Sequence, residues 1–327
     1  MEKLTSIEFC AGAGGQALGL EQAGFDHKLL VDNDLHCTKT LRVNRPSWNV
    51  RLEDMQESDA SDYRGVDLFA AGLPCPPFSV AGKQLGEADE RNLFNDALRL
   101  IEQTDPKMVL IENVRGFLDP VFAGYREFLE AQFKRLGYEM KVELLNASDY
   151  GVSQLRPRVA IVAGKPAYWE EFVFPLHDED FRKAPPVGEL LLDLMAEGGW
   201  EGAAAWSEKA NQIAPTIVGG SKKHGGPDLG PTRARNAWLK LGVNGKSIGD
   251  APPEPGFDGV PRLTTRMVAR VQGFPDDWHF YGKKTNAYRQ VGNAFPPPVA
   301  AALGRRLHAA IRVAGEKMSK KKAYAVR

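Results

Sequence analysis

The sequence predicts an α/β fold built on a doubly wound, mostly parallel sheet, with a second, smaller, loop-rich domain. Three observations carry this reading. Compact apolar runs of strand length alternate with helical segments through residues 1–166. Prolines and glycines then crowd residues 167–260, where periodicity is weak. Helical patterning resumes over residues 261–315, and a basic tail closes the chain at 316–327. A length of 327 residues has room for one large and one small domain, or for two of moderate size.

The elements follow in order. Ser6–Phe9 is a short apolar strand, and the glycine-rich turn Ala11–Gly15 leads it into a helix over Gln16–Ala23. Leu29–Val31 is a second strand, and a third precedes Asp54. Val66–Ala70 (VDLFA), Met108–Ile111 (MVLI) and Val159–Ala163 (VAIVA) have the length and continuous apolarity of buried strands. Helices over Arg91–Glu102 and Tyr125–Leu136 separate them. Only Val187–Met195 is helix-like within the loop-rich stretch. Thr264–Gln272 and Pro297–Val313 read as helices, and the tail Lys317–Arg327 as frayed.

Composition excludes several classes. The 42 Lys and Arg balance 42 Asp and Glu, so net charge names no partner. No apolar run approaches the ~18 residues of a membrane helix. The N-terminus lacks the basic-then-apolar pattern of a signal peptide, which points to the cytoplasm. Cys10, Cys37 and Cys75 are too few for a disulfide framework and lack metal-site spacing, so no metal is expected. The 33 glycines and 22 prolines exceed the ~12% of an average chain, which predicts working loops.

Two clusters of residues suggest chemistry. Glu8–Gly15 (EFCAGAGG) runs from a strand end through a glycine turn into a helix, where a ligand could approach the backbone closely. A packing turn would look the same. Asp32, about 20 residues on, stands where an acid can accept ribose hydroxyls. Asp54 holds the corresponding place after the third strand, inside an acidic stretch where a solvated loop charge is the alternative. The turn lacks GxGxxG spacing, which favours an adenosine cofactor other than NAD. At the other end, Gly72–Ser79 (GLPCPPFS) mounts Cys75 between prolines directly after a strand, a rigid mount for a nucleophilic thiolate. Glu112 in IENVR ends the next strand, where an apolar setting can hold a carboxyl protonated as an acid. Gln154–Arg158 (QLRPR) places Arg156 and Arg158 on one side of an extended segment. Two such arginines more often make surface ion pairs than catalytic contacts.

GLPCPPFS, IENV and QLRPR, in this order behind a glycine turn, resemble the DNA cytosine-5 methyltransferases. Arg262–Pro275 (RLTTRMVARVQGFP) and Gln290–Ala300 (QVGNAFPPPVA) are similar to that family's last two motifs. The resemblance covers roughly 1–165 and 261–313. It implies a sheet of the S-adenosylmethionine-dependent methyltransferase type, with a target-recognition domain between the matched parts. Cys75 matches the nucleophile, Glu112 the acid at ring nitrogen 3, and Arg158 the arginine on the base's carbonyl oxygen. Arg156 matches a residue supporting the Cys75 loop. For S-adenosylmethionine, Asp32 matches the ribose-binding acid, and Asp54 and Met55 the adenine contacts. Gly12 and Gly14 match the close-approach glycines, while Asn33, Pro74, Leu93, Asn293 and Ala294 match further cofactor contacts. Cys10 stands where many members have a phenylalanine stacked on adenine, with Phe9 as the replacement apolar contact. Pro76 stands where many have glutamine. Ser79, Asn113 and Gln154 match positions on the substrate side.

The middle segment is then the reader of duplex DNA. Thr216 to Lys246 holds six Lys and Arg against one Asp, which suits phosphate contacts. Thr216-Ile217 resembles the family's anchor before a glycine-rich recognition loop. Lys222, Lys223, His224, Arg233 and Arg235 are the candidate DNA contacts. The resemblance implies a monomeric bacterial restriction–modification enzyme, nucleoid-associated through its DNA. A tRNA cytosine-5 methyltransferase and an inactive DNA-binding homologue are the alternatives, and intact Cys75, Glu112 and Arg158 argue against the second.

Overall fold

Continuous apolar runs bury both faces of a strand, and the first half of the chain uses them in this way. In a computed structural model, residues 3–74, 92–176, 179–219 and 226–325 are described. The strands are β1 (Leu4–Phe9), β2 (Phe25–Asp32), β3 (Val50–Leu52), β4 (Leu68–Gly72), β5 (Met108–Val114), β6 (Glu139–Asn146) and β7 (Pro157–Gly164). They form one sheet in the order β3-β2-β1-β4-β5-β7-β6. Neighbours from β3 to β5 pair in parallel, and β7 runs antiparallel to both β5 and β6. The strand order reverses at β1 and β4, so a crevice opens beyond their carboxyl ends. Because β7 is reversed, its first residues meet the end of β5, and Arg158 pairs with Val114.

Helices cover both faces. α1 (Gly15–Gln22) and α2 (Leu35–Asn44) follow β1 and β2, while α3 (Phe94–Thr104) and α4 (Ala123–Arg135) flank β5. Side chains alternate along a strand. Ile7, Phe9, Phe69 and Ile111 therefore pack with Phe94, Leu98 and Leu129 on one face. Leu4, Leu68, Met108 and Leu110 pack on the other with Val299, Leu303 and Leu307. Those last three belong to the long helix that begins at Pro297.

The loop-rich stretch holds more helix than its sequence suggests. After the short α5 (Pro166–Trp169) and the expected α6 (Val187–Ala196) come α7 (Ala203–Lys209) and α8 (Thr232–Lys240). Leu191, Trp206 and Trp238 share an apolar cluster with Met267 and Tyr288 of α9 (Thr265–Val271) and α10 (Lys284–Asn293). α11 (Pro297–Ala325) corrects the expectation of a helix ending near Val313 with a frayed tail. The segment after Gly315 is rich in Ala, Glu, Lys and Met, which carry little helix penalty. Lys317 also pairs with Glu171 at 2.5 Å. Among the described residues no helix is long and apolar enough to cross a membrane.

One buried polar contact ties α1 to the sheet. The Nε2 of His27 lies 2.8 Å from the Ala17 carbonyl oxygen, and its Nδ1 lies 2.8 Å from Ser6 Oγ. A carbonyl only accepts, so Nε2 carries the proton and Nδ1 accepts from the hydroxyl. Burial holds this ring below its ordinary value of 6.5. The folded state thus refuses a proton that the unfolded chain takes up. Its contribution is complete above about 6.5 and is lost as pH falls below it. His27→Gln, which can keep both hydrogen bonds, is expected to flatten the fall of unfolding free energy between pH 7 and 5.5. The change should not exceed ~1.4 kcal/mol per pH unit. Urea unfolding across that range checks it, and an unaltered slope would assign the protons elsewhere.

Candidate active site

The side expected to hold a cofactor begins where β1 ends. Cys10, Gly12 and Gly14 all have positive φ, at 52°, 55° and 84°. The two glycines differ in purpose. A Cβ on Gly14 would lie 2.6 Å from Leu41 Cδ2, whereas one on Gly12 would meet nothing within 4 Å. Gly14 is therefore a packing glycine, and Gly12 leaves the turn open. Its N–H donates to Asp32 Oδ2 at 2.8 Å, and the Asp34 N–H donates to Asp32 Oδ1 at 2.8 Å. The half-buried Asp32 carboxylate is fixed at the end of β2. The Trp278 indole pins the turn by donating to the Ala13 carbonyl at 3.1 Å.

Asp54 follows β3 and accepts from Asn33 Nδ2 at 3.2 Å and from the Gln56 N–H at 3.0 Å. The Cys10 sulfur lies 3.9 Å from that of the buried Met55. Burial first, then Asp32 and Asp54, push the Cys10 thiol up, so it is an inert polarisable surface rather than a nucleophile. The structure corrects the place expected for Phe9. Its side chain is fully buried, stacked on Phe69 at 5.6 Å, because strand alternation turns it into the core beneath α3. Leu93, half-buried, caps α3, and half-buried Pro74 follows β4. Asn293 is exposed at the end of α10, with Ala294 buried beside it.

The reactive side lies across the crevice. Glu112 pairs with Gly72 of β4 and with Ala160 of β7, so it stands beside the strand that leads into Pro74. Cys75 and Ser79 lie outside the described residues, as do Lys222, Lys223 and His224. Arg158 Nε is 2.9 Å from Glu112 Oε1, with both side chains largely buried. Burial raises the Glu112 carboxyl above its usual 4.5, outweighing the pull of Arg158 and Arg156. Asn113 is corrected as a substrate contact. It is wholly buried on the opposite face from Glu112, and its Oδ1 accepts from the Val114 N–H at 2.8 Å.

Arg156 and Gln154 are interior residues. Arg156 is fully buried and donates to Ile217 O and Gly292 O, each at 2.7 Å, and to Ala294 O at 3.1 Å. Gln154, expected on the substrate side, has its amide engaged by Gln272 Oε1 at 2.6 Å and by the Ile217 N–H at 2.8 Å. Thr216 donates its hydroxyl to Leu155 O. These residues hold the middle segment against the C-terminal return. Arg156→Met is expected to cost about 3 kcal/mol of unfolding free energy or more, since buried carbonyls left without donors cost ~1–3 kcal/mol each. Urea denaturation measures it, and a loss under ~1 kcal/mol would mean that the carbonyls find other donors.

α8 carries both candidate reading arginines. Arg233 is exposed and makes no hydrogen bond or ion pair among the described residues, while Arg235 is half-buried with its stem against Gly245. Trp238, fully buried, anchors the helix. Sequence reasoning assigns no role to Gln272, Trp278 or Tyr288. Gln272 and Trp278 lie in or just beyond the run Arg262–Pro275, but nothing local marks them.

A crevice with fixed acids on one side and a buried acid–guanidinium pair on the other is suited to group transfer between two ligands. The comparisons agree. Type II methyltransferase M.NgoMIV of Neisseria gonorrhoeae is 52% identical over 95% of this chain and 99% of its own. M.NaeI of Lentzea aerocolonigenes is 52% identical over 97% of this chain and 77% of its own. The Entamoeba histolytica methyltransferase EhMeth has a similar fold, with a TM-score of 0.65 at 15% identity over 94% of this chain and 98% of that one. A profile of C-5 cytosine-specific DNA methylases matches residues 4–309. The chain belongs to that family of DNA methylases.

Proposed function

We propose that the chain methylates carbon 5 of a cytosine within a specific duplex DNA sequence, using S-adenosylmethionine, as the modification half of a restriction–modification pair. The observation that carries this is the Glu112–Arg158 pair, held beside the strand end that leads into Pro74 and Cys75. Family membership and the Type II relatives favour duplex DNA over tRNA.

The cofactor residues fit such a ligand. Asp32 presents a fixed carboxylate to ribose hydroxyls, and Gly12 leaves the turn open to close approach. The Cys10 and Met55 sulfurs offer an apolar contact between Asp32 and Asp54 for adenine. In this reading Asn33, Pro74, Leu93, Asn293 and Ala294 supply further contacts to the cofactor. The bound cofactor supplies an electrophilic methyl group.

The protein's own steps follow. Cytosine leaves the stack, at a cost of a few kcal/mol. The Cys75 thiolate adds to carbon 6, which makes carbon 5 nucleophilic. Glu112 gives a proton or hydrogen bond to ring nitrogen 3 as charge develops, and Arg158 holds the carbonyl oxygen. After methyl transfer, loss of the carbon 5 proton expels the thiolate and restores aromaticity. Ser79 lies near the nucleophile in sequence. Arg156 holds its neighbours in place.

In this reading residues 1–166 and 261–315 form the catalytic part, 167–260 the recognition part, and 316–327 the basic end. Lys222, Lys223 and His224 meet phosphates, and Arg233 or Arg235 reads a base edge. The protein works as a monomer in the bacterial cytoplasm. Expression in a host without cytosine methylation, followed by bisulfite sequencing of its plasmid, tests the proposal. Methylcytosine at one recurring sequence is expected. Unmodified plasmid alongside modified tRNA would overturn it.

A further inference from the structure

A closed ring of buried hydrogen bonds joins the recognition segment to the cofactor cleft. Gln154, Arg156 and Gln272 are each wholly buried. The Ile217 N–H donates to Gln154 Oε1 at 2.8 Å, and Gln154 Nε2 donates to Gln272 Oε1 at 2.6 Å. Gln272 Nε2 donates to Ala294 O at 2.6 Å. Arg156 closes the ring, donating to Ala294 O at 3.1 Å and to Ile217 O at 2.7 Å. In a low-dielectric interior, moving Ile217 without Ala294 would strand several polar groups, so the ring shifts as a unit.

A second contact runs alongside. Tyr288 donates its hydroxyl to Val218 O at 3.0 Å. The next residue, Gly219, touches α10 backbone to backbone: a Cβ on Gly292 would lie 2.4 Å from Gly219 Cα. A Cβ on Gly219 would lie 2.5 Å from Asn293 Oδ1. The exposed Asn293 thus has its amide oxygen close against Gly219, and the carbonyls of its two chain neighbours, Gly292 and Ala294, accept from Arg156.

We propose that Gln272 is a positioning residue which, with Gln154 and Arg156, makes duplex DNA and cofactor bind cooperatively. This rests on the function proposed above, in which residues beyond Thr216 contact DNA and Asn293 contacts the cofactor. DNA seated on the segment fixes Ile217 to Gly219. The ring and the glycine contact then fix Gly292 to Ala294 before the cofactor arrives. Linkage makes the effect reciprocal.

The test measures S-adenosylhomocysteine affinity by calorimetry, with and without a duplex carrying the mapped site. The wild type is expected to bind it ~5- to ~150-fold more tightly with DNA present, the usual range of such coupling. Gln272→Leu should bind it normally without DNA, yet lose most of the gain. A merely structural role would lower the thermal midpoint and leave the ratio untouched. An unchanged ratio in a folded Gln272→Leu, or no ratio in the wild type, overturns the proposal. Should Gln272→Leu not fold, Tyr288→Phe removes a single hydroxyl bond to the same segment. It must then reduce the ratio, and an unchanged one overturns the proposal. A chain that binds S-adenosylhomocysteine but methylates no plasmid would instead remove the functional reading itself.

Discussion

Cys75→Ser is expected to abolish methyl transfer while leaving S-adenosylmethionine binding intact. In the proposed mechanism the thiolate is the nucleophile, and a serine hydroxyl is scarcely ionised near neutral pH. Loss of a nucleophile acts on a scale of more than about 10⁴-fold in turnover. Cofactor binding should survive because the main anchors proposed for it lie elsewhere. Asp32 ends β2, Asp54 follows β3 and Gly12 follows β1, whereas Cys75 continues from β4. Transfer of labelled methyl to plasmid DNA, beside calorimetry with the cofactor, separates the two effects. Substantial turnover by the variant would remove Cys75 from its role. Cys10 is a poor substitute, since burial and nearby carboxylates push its thiol up.

Glu112→Gln is expected to slow methyl transfer by ~10²- to ~10⁴-fold, the range for a positioned acid, with little change in cofactor affinity. The amide can donate a hydrogen bond but cannot deliver a proton. A pH profile adds a sharper readout. Burial holds the Glu112 carboxyl above 4.5 against the opposing guanidinium groups of Arg158 and Arg156. Wild-type turnover should therefore decline as pH rises through that raised value, and the glutamine variant should lack this limb. The sign for stability is the same. A folded value above the unfolded one means a contribution fully present below 4.5 and lost as pH rises through the folded value. Asp32→Ala should give the mirror image, since it removes the acceptor for the Gly12 and Asp34 N–H groups and unpins the cofactor turn. Were Asp32→Ala to spare cofactor binding and Glu112→Gln to destroy it, the two roles would have to be exchanged.

The central strands were legible because buried parallel strands are continuous apolar runs, as in VDLFA and MVLI. β6 was not, because this edge strand carries Lys141 and Glu143 and resembles a surface loop. α7 and α8 are too short, at 7 and 9 residues, for periodicity to show among so many prolines and glycines. Parity explains the two misplaced side chains. A one-residue step along a strand reverses the face, which turns Phe9 into the core within β1 and separates Asn113 from Glu112 in β5. Cys10, by contrast, lies past the end of β1 at positive φ. Glu112 and Arg158, the proposed acid and its partner, were readable from motifs, but their meeting was not. It depends on the reversed direction of β7, which no residue type announces. The interior ring was hidden by distance along the chain. Gln154 and Gln272 are 118 residues apart, and Arg156 and Ala294 are 138 apart. Local pattern carries no record of such pairings.

Covalent trapping tests the mechanism most directly. The wild type is incubated with S-adenosylmethionine and a duplex carrying 5-fluorocytosine at the mapped site. Fluorine cannot leave as the carbon 5 proton does, so the thiolate cannot be expelled and the adduct persists. Peptide mapping by mass spectrometry is expected to place the nucleotide on Cys75 alone. An adduct on Cys10 or Cys37, or none from a preparation that methylates ordinary cytosine, would contradict it.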